Sequence, residues 1–145
     1  MDQKTYLTDR VDDQINWYTT KSKFNQNRYK LLKTVIILVS VTIPFLAGLI
    51  KGEGDILKIA VGVGGILIAG FEGILSLYKY QDLWLQYRLT AEMLEREKIL
   101  FVTEAGPYEN NPVAFKQFVT QAESIMSAEN KSWLAISKEK KEKET

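Results

Sequence analysis

Glu72 is the one charged side chain between Lys58 and Lys79, and its neighbours there are almost all Ile, Leu, Val, Ala, Gly and Phe. An acidic group at the centre of an apolar membrane helix costs roughly 2.5–3.5 kcal/mol on insertion scales, and somewhat less away from the midplane. Such a residue seldom faces lipid. On a helical wheel Glu72 shares a face with Gly62, Gly65, Ala69, Ser76 and Lys79, a stripe that is small and polar. Gly65, Ala69 and Gly73 form a small-xxx-small series that lets helices approach closely, and Gly62, Gly64 and Gly70 lower the bulk further. Two readings compete. In one, several copies of the helix surround an axis, and a ring of Glu72 carboxylates draws cations into a narrow path lined by Gly62, Gly65, Ala69 and Ser76. In the other, the stripe is a packing seam, and Glu72 is protonated, reaches the headgroups or pairs with a base such as Lys79.

Other chemistries lack their side chains. The 145 residues include no Cys and no His, which removes disulfides, thiolate metal sites, a thiol nucleophile and the usual general base. A lone Glu without a paired carboxylate gives an enzyme little to work with, so no catalytic residues, metal or cofactor are expected. Net charge is +1, and Lys and Arg are interspersed with Asp and Glu, so no basic field points to nucleic acid. Gly62-Val63-Gly64-Gly65 lies inside the apolar run and is not a phosphate cradle.

The elements that position Glu72 are two apolar stretches, Thr34–Ile50 and Ile56–Tyr78, separated by Lys51-Gly52-Glu53-Gly54-Asp55. At about 1.5 Å per residue, roughly 20 apolar residues cover a hydrocarbon core of about 30 Å. The second stretch reaches that length outright, and the first does so by recruiting Leu31 and Leu32. The rest of the chain is too polar to wrap two such helices in a soluble core. The expected fold is therefore all-α, an integral membrane hairpin with long cytoplasmic helices, divided into 1–33, 34–78, 79–136 and a charged tail, 137–145. The long polar lead before Thr34 does not resemble a secretory signal. Lys21, Lys23, Arg28, Lys30 and Lys33 precede the first span, and Lys79 and Arg88 follow the second, against Lys51 and Lys58 on the turn side. The positive-inside tendency then places both termini in the cytoplasm.

The polar segments carry helical periodicity. Leu7, Val11, Tyr18, Ser22, Asn25, Tyr29 and Leu32 share one stripe, and Tyr80, Trp84, Tyr87, Ala91, Leu94, Lys98 and Phe101 another. With no breaker between Ser76 and Ala105, the second membrane helix is predicted to run on unbroken until Gly106-Pro107 stops it. A last helix, capped by Asn110 or Asn111, is predicted from about Asn111-Pro112 to Ile136, with Phe115, Phe118 or Val119, Ala122, Ile125 or Met126, Glu129 and Trp133 on its buried stripe. Ser137–Thr145 reads as a frayed, solvated end. The dense aromatic residues read as core, and Tyr78 and Tyr80 also fall where an interfacial belt would sit. Pro44 kinks the first span and is a candidate gate hinge. Arg88 and Glu92 form an i,i+4 pair; together with Arg10 and Asp13 they are candidates for coupling a cytoplasmic signal to the membrane helices.

Several of these residues carry a resemblance. The order Arg10…Gln14…Trp17-Tyr18…Lys21, a hairpin with Pro44 late in its first span, then Tyr80…Trp84…Tyr87-Arg88…Glu92…Leu94…Glu97, Gly106-Pro107-Tyr108 and Phe115…Val119…Glu123…Glu129…Trp133 resembles the SLATT superfamily of bacterial two-transmembrane domains, in its single-domain branch. It covers Tyr6 to about Ile136. The resemblance implies a pore-forming effector in the bacterial inner membrane, and no catalytic or ligand residues come with it. One hairpin offers two spans, so a pore requires a homo-oligomer, with a tetramer as the working guess. The expected partners are further copies of the chain, the lipid membrane and monovalent cations, with any regulator a separate molecule acting on the cytoplasmic helices. The alternative is a non-conducting scaffold whose helical bundle recruits a protein.

Overall fold

A computed structural model of the chain describes the backbone of residues 2–50 and 55–143 and the side chains of residues 2–50 and 56–128. The predicted turn at Lys51–Asp55 falls largely outside the described residues, as do the side chains of Glu129 and Trp133. Among the described residues every regular element is helical: α1 (Gln3–Gly48), α2 (Asp55–Tyr78), α3 (Tyr80–Val102), a 3-10 turn (Gly106–Tyr108) and α4 (Ala114–Lys143). α1 and α2 each carry a segment long and apolar enough to cross a membrane, and almost none of either segment is buried.

α1 opens on Asp2, whose carboxylate accepts the Gln3 N–H at 2.8 Å. It then passes through a π-helical stretch, Leu7–Asp12. The reason lies in the spacing of its buried residues. Tyr6 and Val11 are both buried, yet five positions of α-helix would set them about 140° apart. The wider i→i+5 turn brings both onto one face. From Val11 onward the burial of Tyr18, Ser22 and Asn25 follows the predicted three-and-four spacing, while Tyr29 and Leu32 are half-buried and Ile36, outside the predicted stripe, is buried. Pro44 lies within α1. Lacking an N–H, it leaves the Ser40 carbonyl without its helical donor.

Two of the predicted helix ends are corrected. The second apolar helix does not run on unbroken: α2 ends at Tyr78, and Lys79 takes a left-handed backbone, φ 47°, with its N–H donating to the Leu75 carbonyl at 3.0 Å. That is a one-bond left-handed cap, normally given to Gly or Asn. The stop at Gly106-Pro107 also comes earlier. α3 closes in a Schellman motif: the Ala105 N–H reaches the Leu100 carbonyl at 2.9 Å, and the Glu104 N–H reaches the Phe101 carbonyl at 3.2 Å. Glu104 holds the left-handed position at φ 51°, and Gly106 serves the following turn at φ 61°. Neither Lys79 nor Glu104 is a residue type that announces such a backbone. α4 is capped at Asn111, whose side-chain oxygen accepts the Val113 N–H at 3.0 Å. It continues to Lys143, so the tail read as frayed is helical to that point.

The chain forms two compact units. One comprises residues 1–22 and 85–143. Val11, Leu94, Tyr108 and Phe118 are almost completely enclosed there. Phe101 and Phe118 stack at 4.5 Å, while Tyr6 and Tyr108 meet Phe118 edge-on. Tyr108 enters this core from the Gly-Pro-Tyr turn and donates its hydroxyl to Glu97. Burial, and then that bond, push its phenol well above the ordinary tyrosine range. The other unit, residues 23–84, is the hairpin of α1 and α2.

Candidate functional site

Within the hairpin unit, Gly64 rather than Gly65 is the contact glycine. A Cβ at Gly64 would stand 3.3 Å from Ile43 Cγ1 and 3.5 Å from Val39 Cγ1, so the missing side chain is what lets α1 come close. Leu75 and Ile36 are the other buried residues of this seam. The antiparallel register that sets Gly64 against Val39 and Ile43 also brings Glu72 to Lys33. Their ion pair closes at 2.6 Å, with both side chains about two-fifths exposed. The acidic residue of the second apolar run therefore stands level with the last polar residue before the first one. Its partner comes from α1, and Lys79 makes no ion pair among the described residues.

Around this pair lies an open cavity of about 330 Å³. Tyr29 and Lys33 form its α1 wall. Glu72, Leu75 and Ser76 come from α2, followed by Lys79, Gln81 and Asp82 at and beyond the helix break. It holds two cationic and two anionic side chains.

The remaining pore candidates share an open face. Gly62, Gly65, Ala69 and Ser76 are exposed, and a Cβ placed on Gly62, Gly65, Gly70 or Gly73 would meet no atom within 4 Å. Among the described residues nothing uses the close approach that these residues allow. Pro44 is exposed as well, with the Ser40 hydroxyl bonded back to the Ile36 carbonyl and the Thr42 hydroxyl to the Val39 carbonyl.

In the other unit the four coupling candidates are not brought together. Arg88 pairs with Glu92 on the same exposed turn of α3 at 2.8 Å, and Asp13 is exposed. Arg10 instead crosses to Glu123 of α4, with Nε on Oε1 and Nη2 on Oε2, both at 3.1 Å. The Tyr6 hydroxyl adds a third bond, donating to the same Oε1 at 3.1 Å. Arg10's hydrogen bonds hold the Glu123 carboxyl below the usual range. Burial, and then the bond to Glu123, push the Tyr6 phenol up to about 12. A second cross-helix pair joins Lys98 to Asp12, the neighbour of the predicted Asp13. Sequence reasoning missed Glu123 as a partner because the aim of Tyr6 and Arg10 depends on the π turn, and missed Asp12 because partners on separate helices follow from their packing and not from spacing along one.

No curated protein and no solved structure matches this chain. A family model matches residues 13–115, which holds both apolar helices, the ion pair, the cavity and the Gly-Pro-Tyr turn but neither Arg10 nor Glu123. Covering more than two thirds of the sequence, that match places the chain in the family described as "Protein of unknown function (DUF4231)".

Proposed function

We propose that this protein is a homo-oligomeric membrane pore, passive and cation-favouring, with both termini cytoplasmic. The observation that carries the reading is the unfilled small-residue face of α2, where an added Cβ at Gly62 or Gly65 would meet nothing. A helix in lipid gains little from such a face unless another helix or a water path occupies it. Ile37, Leu38, Val41 and Phe45 of α1 and Ile59, Ile66 and Leu77 of α2 point outward. That is an apolar surface far larger than a water-soluble monomer presents. The SLATT resemblance, which implies a bacterial inner-membrane pore acting as an effector, agrees with this reading.

A second reading, a non-conducting scaffold, draws support from the Lys33–Glu72 pair, since a carboxylate matched by an ammonium makes a weaker cation ring. Ion flux through the purified protein in liposomes, under K⁺, Na⁺ and Cl⁻ gradients, separates the two. The pore reading expects wild type to conduct, Glu72→Gln to lose cation preference and Lys33→Gln to strengthen it. Silence from folded, oligomeric wild type across pH and candidate ligands would leave the scaffold.

A further inference from the structure

We infer that the cavity at the Lys33–Glu72 end of the hairpin is a binding site for the headgroup of a zwitterionic phospholipid bearing a primary ammonium, of the phosphatidylethanolamine type. The inference rests on the membrane reading above.

Three features of the cavity converge on that chemistry. The first is depth. Lys33 precedes the apolar run of α1, and Lys79 follows that of α2. Tyr78 and Tyr80 stack on each other beside Lys79, 5.5 Å apart. Aromatic and basic residues at the ends of two apolar helices mark the headgroup layer.

The second is charge. Lys33 and Glu72 neutralise each other at 2.6 Å. Lys79 and Asp82 line the same cavity and form no ion pair among the described residues. One cation and one carboxylate are therefore left over, and the cavity as a whole is neutral. A headgroup of zero net charge meets both: the phosphodiester takes the Lys79 ammonium, and the ligand's ammonium takes Asp82. The Tyr29 and Ser76 hydroxyls add donors for phosphate oxygens. A net anionic headgroup would leave Asp82 opposed by like charge. A choline headgroup would offer Asp82 no N–H, since its nitrogen carries methyl groups.

The third is size and backbone. About 330 Å³ lies at the small end of ligand sites, which run from about 300 to 1,000 Å³, and suits a headgroup rather than a whole lipid. Lys79, the residue the site needs as its cation, is held at φ 47°, a conformation L-residues other than Asn and Asp rarely adopt and one that gathers at functional sites.

The test uses the full chain extracted in mild detergent, with retained lipid read by native mass spectrometry after adding matched-acyl phosphatidylethanolamine, phosphatidylcholine or phosphatidylglycerol. Wild type is expected to prefer phosphatidylethanolamine about tenfold over phosphatidylcholine, the scale of one charge-assisted hydrogen bond. Asp82→Asn should bring the two close to parity, and Lys79→Asn should lower retention of all three. Asn suits the left-handed backbone, so loss in that variant is not a folding failure. Equal retention of phosphatidylethanolamine and phosphatidylcholine by wild type, or insensitivity to both substitutions, overturns the site. Displacement of the lipid by soluble glycerophosphoethanolamine at equal concentration would show a soluble ligand instead of a bilayer one. Flotation with pure phosphatidylcholine vesicles separates the levels: a protein that floats but lacks the preference refutes this site alone, whereas one that does not float refutes the membrane reading with it.

Discussion

In the unit of residues 1–22 and 85–143, Tyr6, Tyr18, Tyr87, Phe101, Tyr108 and Phe118 are enclosed and charges sit outside in pairs; in the hairpin unit of residues 23–84, most described Ile and Leu face outward and the ion pair lies beside a cavity. Phe118 is 0% exposed and Ile66 is 74% exposed. On the proposed membrane reading the same chain follows two solvent rules, burying apolar surface in the unit that meets water and presenting it in the unit that meets lipid. Contact chemistry differs accordingly. Both units carry cross-helix salt bridges, but one adds ring packing and the other a glycine that admits the neighbouring helix.

The sharpest break of this contrast is Phe118→Ala, expected to cost about 3–5 kcal/mol through the cavity left among Tyr6, Phe101 and Tyr108. Ile66→Ala should stay within about 0.5 kcal/mol. Thermal unfolding in detergent, followed by near-ultraviolet circular dichroism, compares them; similar losses would mean that the hairpin surface is packed. Next in size, Gly64→Leu should destabilise the protomer by about 1–3 kcal/mol by driving Val39 and Ile43 away. Gly65→Leu should leave the protomer's melting unchanged and lower its oligomeric state on a sizing column coupled to light scattering. An unchanged oligomer would remove the small-residue face from the assembly.

The smallest effects concern the Arg10–Glu123–Tyr6 cluster. A carboxyl held below its ordinary value contributes stability above about pH 4.5, and this is lost as pH falls through the lowered value. The Tyr6 phenol, held high, contributes below about pH 10 and loses its share between about 10 and 12. With both ion-pair side chains about two-fifths exposed, the acid limb should amount to about 0.5 kcal/mol. Glu123→Gln should flatten that limb, and Tyr6→Phe the alkaline one. A pH–stability profile unchanged by either substitution would assign the cluster no energetic role.

How much of this was legible follows from which forces act locally. Hydropathy marks the two long apolar segments, and three-and-four spacing marks the buried stripes, because both report burial directly. The Lys79 break was hidden because it places a charged residue where composition leads one to expect Gly. The close of α3 at Glu104 was hidden for the same reason. The partner of Glu72 was within reach of simple counting: Lys33 lies 20 residues before the middle of the turn at Glu53 and Glu72 lies 19 after it, so an antiparallel hairpin sets them side by side. Pairing Glu72 with Lys79 used spacing along one helix where register between two decides. The π turn left a trace too, in the five-residue gap between Tyr6 and Val11.

That turn works as a phase shifter. In a regular helix each residue advances the facing direction by about 100°. One wider turn at Leu7–Asp12 adds an increment that α-helical winding cannot supply. The tip of α1 can therefore aim Tyr6 and Arg10 at Glu123 while the residues from Val11 to Ser22 keep their own heading. Deleting a single residue between Tyr6 and Arg10 would restore ordinary winding and still leave Tyr6 and Val11 about 40° apart, on one face. The wide turn thus absorbs one extra residue at the tip without turning Tyr6 away from α4.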